Sequence, residues 1–162
     1  RASRSSTSSS PALEPHKPFS AGLTEKRRMN GETRRNYGTG RPMEARIGFS
    51  RAVRIGNIIE VAGTAPTAPD GSTIAPGDAY EQAKAVLQII GQALAELGGS
   101  LEDVVRTRIF LTNANDWEAV GRAHGEVFGD VRPAATMLEI SRLLAPDWLV
   151  EIEATAVVQD GD

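Results

Sequence analysis

The sequence predicts an α+β fold, a mixed β-sheet of four or five strands with two helices packed on one face. Three observations carry this prediction. Large apolar side chains alternate with period two from Trp148 to Val158, an apolar stripe recurs at helical spacing from Ala79 to Leu97, and the elements run strand, strand, helix, strand, helix, strand, strand.

Each element follows from local chemistry. Arg51 to Gly56 and Ile58 to Gly63 are β-prone runs joined around Gly56-Asn57, a pair suited to a tight hairpin turn. Residues 66–77 are dense in Pro and Gly and form a surface loop. Asp78, three residues before Glu81, opens a helix whose Ala79, Tyr80, Ala83, Val86, Leu87, Ile90, Ala93, Leu94 and Leu97 face the sheet until Gly98-Gly99 stops it. Val104 to Thr112 reads as a strand with Val105, Thr107, Ile109 and Leu111 on one face. Arg106, Arg108 and Phe110 lie on the other. The spacing of Asn115 and Glu118 predicts a second helix cap, and that helix carries Trp117, Val120, His124, Val127 and Phe128 toward the core. Ala134 to Ser141 is a further strand, with Ala135, Met137 and Glu139 on one side. The last strand places Val150, Ile152, Ala154 and Ala156 on one side and Glu151, Glu153, Thr155 and Val157 on the other.

The 162 residues suffice for one domain with a hydrophobic core. Residues 1–40 read as a disordered or non-native tail, rich in Arg and Ser at its start, with Met29 and Met43 as candidate natural starts, and residues 41–162 as the domain. Against 18 Lys and Arg stand 21 Asp and Glu, a net charge of -3, so the basic excess that drives binding to phosphate backbones is absent. No nucleic-acid partner is expected. The chain has no cysteine, which excludes disulfides, thiolate metal sites and a Cys nucleophile; a reducing, cytoplasmic setting fits. Apolar runs of a few residues fall far short of the roughly 20 needed to span a bilayer, so no membrane partner is expected either.

The face opposite the helices carries Arg106, Arg108, Glu139, Glu151 and Glu153 among Phe110, Met137 and Leu149, too apolar to be simply solvated and too charged for an ordinary core. That mixture predicts a subunit interface with ion pairs and clefts in a cyclic homo-oligomer. Phosphate loops, dinucleotide-binding glycine fingerprints and His/carboxylate metal spacings do not occur, and no cofactor is expected. His124 reads as a structural histidine. Glu151 is the candidate for proton transfer if burial perturbs it; the alternative, stronger for Glu153, is a structural ion pair with Arg106 or Arg108. Arg132, beside Pro133 at a strand entry, is either a loop brace or a bidentate clamp for a ligand carboxylate.

Five stretches together resemble the RidA/YjgF family, the proteins also called endoribonuclease L-PSP. They are Ile47-Gly48-Phe49-Ser50-Arg51-Ala52-Val53, the run from Gly56 to Thr64, Asn113-Ala114-Asn115-Asp116-Trp117, Arg132-Pro133-Ala134-Ala135-Thr136-Met137, and Val150-Glu151-Ile152-Glu153-Ala154. Residues 34–40 are similar to the lead-in of some members. The resemblance implies a chorismate-mutase-like fold, a barrel-shaped homotrimer and clefts between subunits. It also implies hydrolysis of reactive enamine and imine metabolites, a deaminase activity needing neither metal nor cofactor. Asn115 and Glu151 match the family's cleft residues, with Glu151 implied to hold the attacking water. Phe49 stands where a Tyr is usual, Thr64 where a Gln is frequent, Met137 where a Cys is frequent, and Ala135 where the family's carboxylate-binding Arg stands. Losing that charge-assisted contact costs on the order of 1.5 to 3 kcal/mol of binding. The sequence thus resembles a subgroup without the arginine. A cleft lined by Phe49, Ala135 and Met137 is expected to be apolar and to prefer a less acidic ligand, with Arg51 and Arg132 as candidate replacements. The alternatives are a trimer that senses a small metabolite without turnover and, disfavoured by acidic charge and sparse aromatics, a ribonuclease.

Overall fold

A computed structural model describes residues 22–29 and 32–159. Seven strands and three α-helices follow in the order β1 (Gly22–Met29), β2 (Glu32–Gly38), α1 (Pro42–Ile47), β3 (Ala52–Ile55), β4 (Ile58–Thr64), α2 (Ala79–Glu96), β5 (Val104–Leu111), α3 (Trp117–Phe128), β6 (Ala134–Glu139) and β7 (Val150–Val157). Short 3-10 turns at Leu101–Asp103 and Ala114–Asp116 lead into β5 and α3.

The α+β class and the two long helices, α2 and α3, packed on one side of a mixed sheet are as predicted; the short helix α1 was not expected. The sheet is larger than four or five strands: seven are joined in the order β1-β2-β3-β4-β7-β5-β6, with β5 and β6 parallel and the other pairs antiparallel. The two added strands lie inside the segment expected to be a tail. Residues 22–29 and 32–38 are not an unstructured lead: β1 pairs with β2, and β2 pairs with β3 through Arg35, Asn36 and Tyr37. Their low apolar content concealed a polar form of attachment. The Arg35 and Arg54 guanidiniums each donate to the Leu97 carbonyl at 2.9 Å, neutralising the carbonyl-rich end of α2, and Tyr37 packs against the core. The rest of the expected tail, residues 1–21, lies outside the described residues.

The core forms between the sheet and α2. Asp78 caps that helix by accepting from the Glu81 N–H at 3.0 Å, as its spacing predicted. Val86, Leu87, Ile90, Ala93 and Leu94 are buried against Ile59, Val61, Ile109, Ile152, Ala154 and Ala156. Gln82 is also fully buried on that stripe. Its amide nitrogen donates to the Ala75 and Asp147 carbonyls and its oxygen accepts from the Leu149 N–H, which ties the 140–149 loop to α2. The second helix departs from prediction at its start. Asn113 caps the 3-10 turn before it by accepting from the Asn115 N–H at 3.1 Å, the helix itself starts after Asp116 with no side-chain cap, and Trp117 is 58% exposed. Val120, Ala123 and Phe128 make the contact with the core, while His124 meets Thr107 at 3.0 Å and stacks obliquely on Phe128, the structural role expected of it.

One bulge and one pairing register adjust which residues face inward. At the start of β5 the register slips between Val104 and Arg106, so Val104 is buried and Val105 is 46% exposed, contrary to strict alternation. Along β6 the partners are Ala135 with Thr107, Met137 with Ile109 and Glu139 with Leu111. Met137 and Glu139 therefore stand on the helix side of the sheet, not on the mixed face. The open face instead carries rows such as Glu153–Arg108–Thr136 and Glu151–Phe110–Leu138.

Truncating Ile152 to Ala removes a fully buried side chain from the central strand and should lower unfolding free energy by about 2–5 kcal/mol, against about 1 kcal/mol for Asp78→Ala. Urea denaturation at fixed protein concentration measures both.

Candidate functional site

The site forms where β3, β4 and β7 meet α1. Between Val61 and Thr64 the pairing of β4 with β7 slips by one residue, leaving a bulge at Ala62-Gly63. The bulge returns Thr64 to the buried helix side, opposite Ile152, where its hydroxyl donates to the Ala62 carbonyl at 2.8 Å. It also lets the Glu151 side chain lie directly over Gly63. A Cβ added there would stand 2.5 Å from Glu151 Oε1, so only glycine permits the approach.

Arg51, just before β3, reaches the same peptide from the other side: its Nη2 donates to the Gly63 carbonyl at 2.5 Å. Its Nε–H is buried without an acceptor among the described residues. No ion pair joins Arg51 to Glu151 among those residues, although each influences the other's titration. Burial pushes the Glu151 carboxyl up from its ordinary value, with Arg51 opposing the shift and Glu153 adding to it. Burial likewise lowers the Arg51 guanidinium below its ordinary value, partly offset by Glu44 and Glu151. The neighbouring Glu153 has an immediate partner, forming an ion pair with Arg108, the structural alternative drawn from the sequence.

A cavity of about 280 Å³ opens over Glu151 and Arg51, walled by Met43, Ile47, Phe49 and Trp148 and edged by Arg41 and Glu44. Sequence reading had not singled out α1. Pro42 occupies its first turn, where a missing N–H costs nothing, and Gly48 ends it with φ 85°. Glu44 is buried, and its carboxylate accepts from the Thr39 N–H, the Thr39 hydroxyl and the Gly40 N–H. Arg41 donates to the Thr67 and Ala68 carbonyls, pinning the surface loop beside the site. A second cavity of about 350 Å³ shares Arg41, Arg51, Ala65 and Thr67 as its wall and reaches toward Gln88 and Gln92 on α2.

Of the sequence candidates, Phe49, Arg51 and Glu151 therefore line one cavity, and Thr64 lines the adjacent one. The other candidates lie elsewhere. Asn115 is exposed in the turn before α3, and Glu139 braces that turn by accepting from the Ala114 N–H at 2.7 Å. Ala135 and Met137 lie on edge strand β6, on the opposite face of the sheet from Glu151. Arg132 adopts a left-handed backbone, φ 51°, and its Nε donates to the Gly129 carbonyl at 2.9 Å, the loop-brace role of the two considered. Arg41, Glu44, Gly63 and Trp148 were missed. Gly63 carried a faint signal as a glycine inside a strand, which marks a bulge or a close approach. Among the described residues, no group of three or more His, Asp or Glu could hold a metal ion, and no helix is long and apolar enough to cross a membrane.

This arrangement defines an α+β protein with a small-molecule cavity built around one desolvated carboxylate and one guanidinium. The sequence profile of the family described as Endoribonuclease L-PSP matches residues 39–158, and the chain belongs to that family, the RidA/YjgF proteins. It is 41% identical over 108 residues to a RutC family protein of Pyrococcus abyssi, covering 67% of this chain and 84% of the relative. To the 3-aminoacrylate deaminase RutC of Acinetobacter baylyi it is 36% identical over 107 residues, 66% of this chain and 84% of that protein. The crystal structure of Rv2704 from Mycobacterium tuberculosis, a member of the YjgF/YER057c/UK114 family, superimposes with a TM-score of 0.71 at 42% identity, covering 77% of this chain and 99% of that one. The fold expected from the resemblance is thereby established.

The raised carboxyl has a consequence for stability. Because the folded-state value of Glu151 lies above the unfolded one, its charged form is disfavoured in the native state. The penalty is present at neutral and alkaline pH and vanishes below the ordinary carboxyl value of about 4.5. Glu151→Gln should thus melt above the parent at mildly alkaline pH, with the gap closing on acidification, as calorimetric scans across pH would record.

Proposed function

We propose that the protein hydrolyses small reactive imines or enamines, a deaminase-type reaction, in a cleft completed by a second copy of the chain. The observation that carries this reading is Glu151, a carboxyl group raised by burial and held over Gly63 in a cavity sized for a small molecule. Such a group sits closer to neutral pH than an exposed carboxylate and can both take and return a proton. An enamine first tautomerises to the imine, which reacts in its N-protonated form. As water attacks the C=N carbon, the C–O bond forms, the π electrons move to nitrogen to give a neutral amine, and Glu151 accepts the water's proton. Returning that proton to nitrogen makes ammonia the leaving group; the C–N bond breaks as the hydroxyl oxygen closes the C=O bond, and the hydroxyl proton passes to solvent, leaving the carbonyl product. The deaminase named among the relatives supports this class of reaction.

The second copy enters because one chain holds the site in two pieces. Ala135 and Met137 sit on edge strand β6, on the face away from Glu151, and Asn115 is exposed in the turn before α3 that Glu139 of β6 braces. Cyclic self-association, as a homotrimer, would bring that edge of one copy to the Glu151 cavity of the next. Binding without turnover is a second reading, favoured by Ala135, which offers no charge at the edge of the cleft. The ribonuclease activity in the family's description is the reading least supported. The open face mixes Arg106 and Arg108 with Glu60 and Glu153, and net charge is -3.

The test is ammonia and keto-acid release from an amino-acid-derived imine generated in situ. The parent protein should accelerate release, and Glu151→Gln should lower turnover by roughly 10²–10⁴-fold. Full turnover in that variant would sink the role of Glu151. Absence of acceleration in a folded, self-associated preparation would favour binding alone, to be followed by thermal shifts across a metabolite library. In the same assay Gly63→Ala, which pushes the carboxylate aside, should lose about 10²-fold while remaining folded.

A further inference from the structure

We propose that Arg51 anchors the ligand's anionic group, so that the positive charge of this site comes from the β3 side of the cleft and not from the β6 edge that Ala135 occupies. The inference rests on the small-molecule reading above and assigns the ligand a charge class: a small monocarboxylate with a short apolar chain.

The case begins with how each charged group near the cavity is engaged. Glu44 is saturated by three donors from Thr39 and Gly40, and Arg41 is committed to the Thr67 and Ala68 carbonyls. Arg132, the other candidate cation, is spent on Gly129. Arg51 combines a fixed position in the cavity wall with a buried donor that no described residue accepts. Its Nη2 is tied to the Gly63 carbonyl, and its Nε–H is buried with no acceptor among the described residues. A buried donor left unpaired is unfavourable, and an entering carboxylate oxygen would relieve it. Such a contact is charge-assisted, and because the guanidinium is already held by Gly63 little further ordering is needed.

The same glycine sets the distance to the reacting groups. Glu151 packs on one side of Gly63 and Arg51 holds its carbonyl, yet the two side chains do not pair. That separation leaves room for a ligand between them. Charge selects its class. Glu44 and Glu151 both face the cavity, as do Arg41 and Arg51, and Arg41 already donates to two carbonyls, so a monocarboxylate meets less repulsion there than a dianion such as a phosphate monoester. Met43, Ile47, Phe49 and Trp148 supply apolar walls, and the Phe49 ring lies 5.8 Å from the Arg51 guanidinium carbon, covering the charge on one side. The expectation of a ligand less acidic than the family's is thus replaced: the cation is relocated, not lost.

The test uses butyrate and butyramide, which match in shape and differ in charge, titrated calorimetrically into the full-length protein. The parent should prefer butyrate by about tenfold or more. Arg51→Met should abolish the preference, and Arg51→Lys should restore part of it. Equal binding of the two probes by the parent, or a preference surviving in folded Arg51→Met, would overturn the proposal. Should Arg51→Met fail to fold, the Arg51 Nε–H resonance of the parent, assigned with Arg51→Lys, decides: a shift with butyrate and not with butyramide supports the anchor, and no shift with butyrate overturns it. Imine hydrolysis without carboxylate preference would remove this inference and leave the proposed function standing. Carboxylate preference without turnover would do the reverse.

Discussion

The position of every group in the site depends on one strand being held in one register. β7 is paired on both edges, with β4 and with β5, and its alternate residues Val150, Ile152, Ala154 and Ala156 are buried beneath α2. A slip of one residue would drive Glu151 and Glu153 into that core and expose the aliphatic set, so burial fixes the register and thereby which carboxylate faces which neighbour. Glu153 falls opposite Arg108 and pairs with it. Glu151 falls opposite Phe110, where the sheet offers no cation, and lies beside the β4 bulge instead.

The bulge turns this register into a site. With one extra residue in β4, Thr64 regains the inward position that strict alternation would assign to Gly63, and Gly63 becomes the backbone surface on which Glu151 rests. The Arg51 carbonyl accepts from the Ala62 N–H at 3.0 Å while its side chain grips the Gly63 carbonyl, so the residue before β3 is fastened at both ends to the distortion in β4. A regular strand with any side chain at position 63 would have neither the gap nor the two charged groups around it.

What could be read beforehand divides along physical lines. The hairpin about Gly56-Asn57, the capped stripe of α2 and the alternation of β7 were legible because each is a local periodicity with its own punctuation. Where long-range pairing overrides periodicity, the reading failed. Val105 sits at a bulge set by β7, Met137 and Glu139 take their face from the register with β5, and β2 is held by Arg35, which caps a helix 62 residues away. Gln82 went unnoticed because a polar residue on an apolar stripe does not announce partners that lie in two distant loops. Within the site, Glu151, Phe49 and Arg51 stood out through alternation and resemblance. Glu44 and Trp148 could not, since their relation to the cavity arises from the packing of α1 and the 140–149 loop, which no short pattern encodes.

The energetics of the site point the same way as its geometry. Exposed Arg108 of β5 closes onto Glu153, two residues along β7 from Glu151. Arg51 and Glu151 are instead held apart, one with an unsatisfied donor and the other with its charged form disfavoured by burial. Both penalties are borne at one bulge, and both would be relieved by a ligand that accepts from Arg51 and exchanges a proton with Glu151. Unsatisfied groups facing each other across a cavity are costly in a folding unit and useful in a binding site. Of the apolar residues Phe49, Ala135 and Met137, Phe49 alone stands in that cavity wall, beside a guanidinium tied to the backbone beneath it.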